Sequence, residues 1–359
     1  MDVQFVDFHD IPVPIWNTFV DSCDECWAYH KAEYIQVDIA NSHSFAILEG
    51  GKMCGVCVLY SGRERFGRIL RGPGLSLDNS VSKKKLYPII KDYLKSLANR
   101  NRCCAIQFSF PILAPAFSRL GFLNSHLLNL GFSSSLRWGY GIHYLPSYTN
   151  VLDLRGTVED IFSGFSKGHK WDCHKCEKMT PSYEYHDGHL EDRLWNDYIS
   201  IHLETYERTG TKPFSREYLN RLRSFIERGL MALGNLYIGT ECIASVLLVT
   251  YKKRAFYLAG GIRENKEIRH CGTYIHLLTI KELKNRGYEY YELGQSYPSI
   301  KESKMGKIGE FKGTFGGEKW PILAGELVVN ELAYLLRIIF PNSARRILQI
   351  EKAKWGRKS

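Results

Sequence analysis

The sequence predicts an α/β fold in which two similar units, each a mixed and mainly antiparallel sheet flanked by helices, follow one another. Two observations indicate this duplication. Residues 44–110 and residues 231–296 both read as apolar strands, then an amphipathic helix, then a closing strand. In addition, Gly51 and Gly72 of the first stretch recur as glycines 188 positions further on in the second. Several elements repeated in order at one offset favour a tandem duplication over a chance likeness.

The first unit can be assigned element by element. Residues 44–60 read as two apolar strands joined by a tight Gly-Gly-Lys turn, and a third strand follows over RFGRILRGPG. The segment SKKKLYPIIKDYLKSLANRN then shows helical spacing. Its apolar face consists of Leu86, Ile89, Ile90, Tyr93, Leu94 and Leu97. A short apolar strand, CCAIQFSF, closes the unit at Phe110.

The second unit repeats this order. MALGNLYIGTECIASVLLVTYKKRAFYLAGG gives three strands, and CGTYIHLLTIKELKNRGYEYYELGQS gives a helix and the closing strand. Residues 150–230 add a strand, NVLDL, and two helical stretches, the first of which begins at the predicted N-cap Thr157. We therefore predict an N-terminal unit over 1–149, a C-terminal unit with a donor cleft over 150–330, and a basic amphipathic C-terminal helix over 331–359.

Composition restricts the partners and the compartment. The chain of 359 residues carries 48 Lys and Arg against 38 Asp and Glu, a positive balance that suits phosphates, nucleic acid or an anionic membrane surface. The N-terminus lacks the features of a signal peptide, and no apolar stretch is long enough to span a membrane. We therefore expect a cytoplasmic protein, with peripheral contact to the inner face of the membrane as a further expectation from its basic tail.

The ten cysteines are expected to be free thiols, because the chain carries no export signal. Two C-x-x-C pairs, Cys23/Cys26 and Cys173/Cys176, could in principle hold zinc. Both lie in segments that read as helical, and no third cluster accompanies them. No metal site is predicted.

An antiparallel run of strands followed by a helix and a parallel strand is typical of acyltransferases of the GNAT type. That fold opens a cleft where neighbouring strands splay, and an acyl donor lies there. Fold alone does not establish chemistry. The chemistry therefore has to be sought in particular residues.

The stretch IGEFKGTFGGEKW, residues 308–320, places one lysine, Lys312, between Phe311 and Phe315 among glycines. Either this lysine points to water or it meets negative charge on an anion or in a transition state. The longer segment EFKGTFGGEKWPILAGELVVN resembles the closing motif of the FemA/FemB/FemX family, the peptidoglycan interpeptide-bridge aminoacyltransferases. In that family a Phe-Lys pair precedes an aromatic-glycine turn and a returning strand. LETYERTG, AFYLAGG and GYEYYELG resemble further family segments in the same order, and the resemblance covers roughly residues 20–330.

The resemblance implies transfer of an amino acid from aminoacyl-tRNA to an amine on a nucleotide- or lipid-linked cell-wall or surface-polysaccharide precursor. It implies catalytic roles for Lys312, which would stabilise the oxyanion, and for the adjoining Phe311. Arg208 falls where the family places an arginine that grips substrate phosphates, and Tyr257 matches a tyrosine lining the cleft. Lys31 is the nearest candidate for a second phosphate-binding lysine. For each of these residues a purely structural role remains the alternative.

The chain departs from the family at the proposed proton acceptor. Family members often carry an acidic residue just before a proline at the end of the first unit's closing strand, and here Phe110 precedes Pro111. The base lies elsewhere, or a substrate phosphate takes the proton, or the acceptor differs from a peptidoglycan stem peptide.

The donor also has an alternative. Acyl-CoA enzymes of this fold bind pyrophosphate at a helix start with Q/R-x-x-G-x-G/A, and this chain has RHCGTY. Tyr274 stands where a small residue is expected, which favours aminoacyl-tRNA over acyl-CoA as the donor, with no cofactor bound. The alternatives are an acyl-CoA-dependent N-acyltransferase acting on an amino sugar, and a non-catalytic nucleic-acid or glycan-binding module. The sequence names neither the transferred group nor the acceptor.

Overall fold

The fold was analysed in a computed structural model. It describes residues 2–64, 67–116, 126–133, 148–210, 212–263, 265, 268, 270–296 and 304–339. The chain divides into two compact units. The first contains residues 1–145 and 322–359, and the second contains residues 146–321.

The first unit is built on a six-stranded sheet in the order β1-β2-β3-β4-β5-β13. Its strands are β1 (Val3–Asp7), β2 (Phe45–Glu49), β3 (Lys52–Glu64), β4 (Gly67–Leu77), β5 (Cys103–Ser109) and β13 (Ala324–Val328). Its helices are α1 (Val13–Ser22), α2 (Ala32–Ile35), α3 (Lys83–Arg100) and α10 (Glu331–Ile339). The predicted apolar face of α3 is buried at Leu86, Ile90, Leu94 and Leu97.

The second unit is built on a seven-stranded sheet in the order β12-β6-β11-β10-β9-β8-β7. Its strands are β6 (Tyr148–Asp153), β7 (Ser182–His186), β8 (Met231–Ile238), β9 (Glu241–Tyr251), β10 (Arg254–Ile262), β11 (Tyr290–Ser296) and β12 (Glu318–Pro321). Its helices are α4 (Val158–Ser163), α5 (Lys167–Glu177), α6 (Asp192–Arg208), α7 (Arg216–Glu227), α8 (Cys271–Asn285) and α9 (Lys304–Gly313). The predicted N-cap at Thr157 is present, since its hydroxyl accepts from the backbone N–H of Asp160 at 3.0 Å.

The predicted α/β fold of two similar units is confirmed. In the first unit β2, β3 and β4 pair antiparallel, α3 follows, and β5 pairs parallel to β4. In the second unit β8, β9 and β10 pair antiparallel, α8 follows, and β11 pairs parallel to β10.

The repeated glycines have a physical cause. Gly51 and Gly239 form hairpin turns at φ of +78° and +59°, a region that side chains with a Cβ avoid. Gly72 and Gly260 lie where two strands come close together. A Cβ at Gly260 would come within 2.5 Å of the Ser245 carbonyl oxygen, and a Cβ at Gly72 would meet the Val58 carbonyl oxygen closer still. The same backbone geometry has therefore been kept twice.

The C-terminal part of the chain returns to the first unit. β13 pairs antiparallel with β5, from Ala324 opposite Ser109 to Val328 opposite Ala105. The sequence analysis had placed 324–328 in the second unit, because a single strand gives no sign of which sheet edge it will join. The basic tail over 340–359 lies outside the described residues. Within the described part of the chain, no helix has the length and apolar character needed to cross a membrane.

The expectation that all cysteines are free thiols is wrong for two of them. Cys176 on α5 and Cys271, the first residue of α8, form a disulfide across 95 positions of sequence. Both side chains are buried in the core of the second unit. Neither residue is near the other in sequence, so only the packing of α5 on α8 brings the two sulfurs together.

Candidate active site

The parallel pairing of β10 with β11 is short, and the two strands part beyond it. Pairing runs from Arg254 opposite Tyr290 to Phe256 opposite Glu292, whereas β10 continues to Ile262 and β11 to Ser296. This opening is the cleft that the GNAT pattern predicts. A bulge between Tyr257 and Ala259 in the pairing of β10 with β9 accompanies it. The candidate site residues of the second unit are grouped around this opening.

Lys312 reaches the opening from the last turn of α9, a helix that packs on β11. A Cβ built on Gly294 would lie 2.8 Å from Lys312 Nζ, so the ammonium group rests against the backbone of β11. Gly294 has φ of +92°, which a residue with a side chain rarely adopts. The side chain of Lys312 is half-buried. Burial lowers the pKa of Lys312 to about 8, while the nearby Glu292 carboxylate acts in the opposite direction.

A cluster of aromatic rings lies beside Lys312, which adjoins Phe311 in sequence and lowers the pKa of His276. Phe315 is fully buried, and its ring centroid lies 4.5 Å from that of His169 and 5.0 Å from that of His276. Phe311 packs 5.2 Å from Phe315 and 5.1 Å from His169, yet 40% of its surface is exposed. Phe315 therefore belongs to the buried part of this ring cluster, whereas Phe311 forms part of its accessible wall.

Two histidines in this wall are held in the neutral form. Burial and then the charge of Lys312 lower the pKa of His276 to about 3, and Nδ1 of this ring is hydrogen-bonded to the Tyr291 hydroxyl at 2.9 Å. Burial also lowers the pKa of His169, whose Nε2 lies 3.0 Å from the Thr314 hydroxyl. At neutral pH the charge of Lys312 therefore does not compete with imidazolium charges beside it.

The structure adds an acidic group that the sequence analysis missed. Glu292 is the last β11 residue paired with β10, and Thr149 Oγ1 on β6 donates to its Oε1 at 2.7 Å. Burial raises the pKa of Glu292 to about 7, while the Thr149 hydrogen bond and the charge of Lys312 partly offset this shift. The Glu292 carboxylate and the Lys312 ammonium group each shift the pKa of the other, and among the described residues no direct ion pair joins them.

Tyr257 lies on β10 immediately beyond the paired stretch, as a residue lining the cleft should. Its ring packs edge-on against His276 at 4.9 Å. Burial, followed by the proximity of Tyr206, raises the pKa of Tyr257 above its usual range, so the hydroxyl stays protonated. A Cβ on Gly260 would approach this hydroxyl oxygen to 2.8 Å. The glycine therefore leaves room for the Tyr257 hydroxyl at the cleft.

Arg208 is the last residue of α6 and is exposed. Its Nη2 donates to the carbonyl oxygen of Ile262, at the end of β10, at 3.3 Å. This contact places a guanidinium group at the far end of the strand that carries Tyr257.

Lys31, the other predicted phosphate-binding residue, lies in the first unit. Its ammonium group is bound by Asp21 at 2.9 and 3.0 Å, and its side chain is 10% exposed. The ion pair accounts for Lys31 structurally.

The position of the missing family acid is apolar here. Phe110 is buried, with its ring centroid 6.0 Å from Phe108 and 5.8 Å from His126. An acidic residue, Glu25, contacts the same histidine, because its Oε2 is hydrogen-bonded to His126 Nε2 at 2.8 Å. The Glu25 side chain is fully buried and also forms an ion pair with Lys83. The Glu25 carboxylate therefore stabilises the core of the first unit and is not accessible to a substrate.

The helix start expected to bind an acyl-CoA pyrophosphate is formed by α8, which begins at Cys271. Tyr274 is 7% exposed and packs into the core of the second unit. The preference for aminoacyl-tRNA over acyl-CoA that was based on Tyr274 stays a prediction. Among the described residues, no group of three or more His, Cys, Asp or Glu side chains could hold a metal ion.

Comparison with known proteins supports the fold over most of the chain. Residues 174–302 match a protein family described as "Acetyltransferase (GNAT) domain". The crystal structure of FemX matches with a TM-score of 0.74 at 13% sequence identity, covering 94% of this chain and 100% of FemX. The fold that the FemA/FemB/FemX resemblance implies, a tandem GNAT-like arrangement, is thereby confirmed.

Two further structures share the fold. The C-terminal domain of a putative lysylphosphatidylglycerol synthetase from Agrobacterium fabrum matches with a TM-score of 0.58 at 14% identity, over 91% of this chain and 94% of that domain. A tandem GNAT protein from the clavulanic acid biosynthesis pathway matches with a TM-score of 0.52 at 11% identity, over 90% and 98%. A search of curated proteins by sequence finds no significant match. The structural matches establish the fold, and the chemistry rests on the residues at the opening.

Proposed function

We propose that this protein is an N-acyltransferase that moves an aminoacyl group from aminoacyl-tRNA to an amine of a nucleotide- or lipid-linked cell-wall or surface-polysaccharide precursor. The observation that carries the proposal is the half-buried Lys312 ammonium group, which rests against Gly294 at the opening between β10 and β11. A fixed cation in a water-poor setting stabilises negative charge far better than one in bulk water. Such charge develops on the carbonyl oxygen when an amine adds to an activated ester.

The remaining residues take complementary roles in this proposal. The Lys312 ammonium group holds the oxyanion, and Phe311 lies against the acyl group at the accessible side of the wall. The protonated Tyr257 hydroxyl offers a hydrogen bond in the cleft, and the Arg208 guanidinium group binds phosphates of the acceptor. Lys31 has no assigned contact with substrate, because Asp21 binds its ammonium group.

Support for an RNA donor comes from the outer surface of α5. The inward side of this helix carries His169, Cys173 and Cys176, all buried, while Lys167, Trp171 and Lys175 lie on the exposed side. The Trp171 side chain is 55% exposed, and Lys175 Nζ lies 4.9 Å from its ring centroid. Cations beside an exposed aromatic ring suit single-stranded nucleic acid, since phosphates pair with lysines and bases stack on the ring.

The opposite, buried side of α5 packs against the rings at the catalytic opening. His169, two positions before Trp171, contacts both Phe311 and Phe315 beside Lys312. In the proposal, the single-stranded end of the RNA contacts the exposed face of α5 while its terminal ester lies at Lys312. We predict that Trp171→Ala weakens binding of total tRNA by about fivefold or more, because one base–aromatic stack contributes about 1–3 kcal/mol. Trp195→Phe on α6, a buried tryptophan, serves as a control for loss of an indole that RNA cannot reach.

Acyl-CoA remains the second candidate donor, because α8 begins within the RHCGTY segment, whose arginine and first glycine fit the pyrophosphate-binding pattern. One screen separates the possibilities. Purified protein is mixed with total tRNA charged with amino acids, or with acetyl-CoA, together with UDP-N-acetylmuramyl-pentapeptide or UDP-linked amino sugars. New acceptor masses are sought by mass spectrometry. Transfer from charged tRNA supports the proposal, transfer from acetyl-CoA favours the alternative, and binding without transfer would indicate a non-catalytic module.

A further inference from the structure

We propose that Glu292 is the proton acceptor of the acyl transfer, replacing the acidic residue that Phe110 excludes from the first unit. This inference rests on the proposed acyltransferase function and adds a catalytic residue to it. Glu292 lies at the point where β10 and β11 part, and its carboxylate is held by Thr149 on the neighbouring strand β6. The group is therefore fixed in direction at the mouth of the cleft.

The reaction requires such a group on the same side of the carbonyl as the incoming amine. The amine nitrogen forms a bond to the carbonyl carbon, the carbonyl oxygen takes negative charge beside Lys312, and the nitrogen must lose one proton. In our proposal Glu292 accepts that proton. The bond from carbon to the leaving oxygen then breaks with its electron pair, and the leaving oxygen receives the proton from Glu292. The carboxylate is thereby regenerated, and no other reactant is needed.

The arrangement of Glu292 relative to Lys312 fits two separate roles. The carboxylate and the ammonium group are close enough for each to affect the ionisation of the other, yet they form no ion pair within 4 Å. A direct ion pair would lower the pKa of the carboxyl group further and direct the two charges at each other instead of at a substrate. Thr149 binds Oε1 of Glu292, and the side chain is partly accessible, so a substrate proton can reach the carboxylate. The acceptor amine would lie between the two charged groups.

Other titratable groups around the opening are poor proton acceptors at neutral pH. His276 on α8 has a pKa near 3, and burial likewise keeps His169 on α5 neutral and weakly basic. The Tyr257 hydroxyl on β10 remains protonated. Lys312 on α9 is required as a cation. Glu292, whose pKa is raised to about 7, ionises in the range in which a general base acts best.

The test compares Glu292→Gln with Lys312→Met in the assay with charged total tRNA and UDP-N-acetylmuramyl-pentapeptide. Glutamine keeps an oxygen that can accept from Thr149 but cannot take a proton. We expect kcat/KM of Glu292→Gln to fall about 100-fold. The low-pH limb of the pH–rate profile, centred near pH 7 in the wild type, should be absent in Glu292→Gln. In Lys312→Met the limb should be retained and moved to higher pH, because the charge of Lys312 lowers the pKa of Glu292. Thr149→Val should move that limb to higher pH, because it removes the hydrogen bond that favours the carboxylate.

Several outcomes would overturn the inference. Wild-type kcat/KM in Glu292→Gln, or a low-pH limb that survives the substitution, would show that the proton goes elsewhere. Glu289→Gln, just before β11, is the matched control and should leave both unchanged. A Glu292→Asp variant with wild-type circular dichroism separates lost chemistry from misfolding, since it should restore part of the activity that Glu292→Gln loses.

Infrared titration tests the inference independently of activity. The protonated carboxyl band that is missing in Glu292→Gln should titrate near pH 7 in the wild type, and a midpoint near 4.5 would refute the proposed setting. If the wild type transfers no acyl group, the proposed function fails, and the infrared midpoint still decides whether Glu292 is poised as a base.

Discussion

Replacing Lys312 by methionine should lower activity and raise stability at the same time. Methionine keeps most of the apolar stem and removes only the charge. An unfolded lysine titrates near pH 10.5 and folded Lys312 near pH 8. Since each pH unit of difference corresponds to about 1.4 kcal/mol, holding the charged form in the folded protein at pH 7 costs about 3 kcal/mol. The free energy of unfolding of Lys312→Met should exceed that of the wild type by about this amount.

The pH dependence gives the effect a distinct signature. Because the folded-state pKa of Lys312 lies below its unfolded value, the penalty is fully present below pH 8 and disappears as pH rises towards 10.5. The stability difference between Lys312→Met and the wild type should therefore be about 3 kcal/mol at pH 7 and smaller by about 2 kcal/mol at pH 9.5. Urea unfolding at both pH values measures it. Lys319→Met, an exposed lysine on β12, should change neither value.

The activity of Lys312→Met should fall, although its stability rises. Loss of a group that stabilises an oxyanion reduces kcat by about 100-fold or more, with little change in acceptor affinity. Lys312→Arg should rescue poorly, because the planar guanidinium group is bulkier than an ammonium group beside Gly294 and Phe315. A Lys312→Met protein with wild-type kcat, or with wild-type stability at both pH values, would show that the ammonium group is solvated and that the reasoning is wrong.

Two further substitutions test the site. Arg208→Ala should raise the acceptor KM about 10- to 100-fold, since a charged hydrogen bond contributes about 1.5–3 kcal/mol. The melting temperature should stay unchanged, because Arg208 is exposed, and the exposed Arg216→Ala is the control. An Arg208→Ala protein with the acceptor affinity of the wild type would show that Arg208 does not bind the acceptor. Gly294→Ala should lower kcat at least tenfold and destabilise the fold by about 1–3 kcal/mol, because the added Cβ meets Lys312 Nζ at 2.8 Å and φ is +92°. Gly313→Ala, where an added Cβ meets no atom within 4 Å, is the control, and full activity in Gly294→Ala would show that Lys312 does not depend on this contact.

The sequence predicted those features that depend on local pattern. The alternation of apolar residues, the Gly51 and Gly239 turns and the face of α3 are visible in neighbouring residues, and a constant offset links the two units. The helix α9 was not predicted, because its segment contains three glycines and has low helix propensity. Packing of α9 on β11 stabilises the helix despite its low helix propensity. A Cβ at Gly309 would come within 2.5 Å of Ser296 Oγ, so glycine allows α9 to lie close to β11.

The parts of the site that sequence could not reveal depend on contacts between distant residues. Glu292 and Thr149 are 143 positions apart, and nothing near either residue indicates their hydrogen bond. His169 and His276 become neutral only because Phe311, Phe315 and neighbouring groups bury them. Alternation along β11 offers one signal, since buried Tyr291 and Leu293 leave Glu292 and Gly294 on the other face. An acidic residue beside a glycine there is consistent with a cleft.

Comparison of the strand openings in the two units supports the assignment of the proposed chemistry to the second unit. In the first unit β4 and β5 also part after their pairing ends at Gly72 and Phe108. That opening is filled, since Phe108 is fully buried and a Cβ at Gly74 would approach its ring to 2.7 Å. In the second unit the corresponding pairing ends at Phe256 and Glu292, and the partly accessible polar side chains at and beyond this point are Tyr257, Glu292, Gln295 and Ser296. Duplication produced two openings of the same construction, and an aromatic ring closes the first. Among the described residues, the second opening brings together a carboxylate held by Thr149 and a half-buried ammonium group, the two charged groups to which we assign the acylation of an amine.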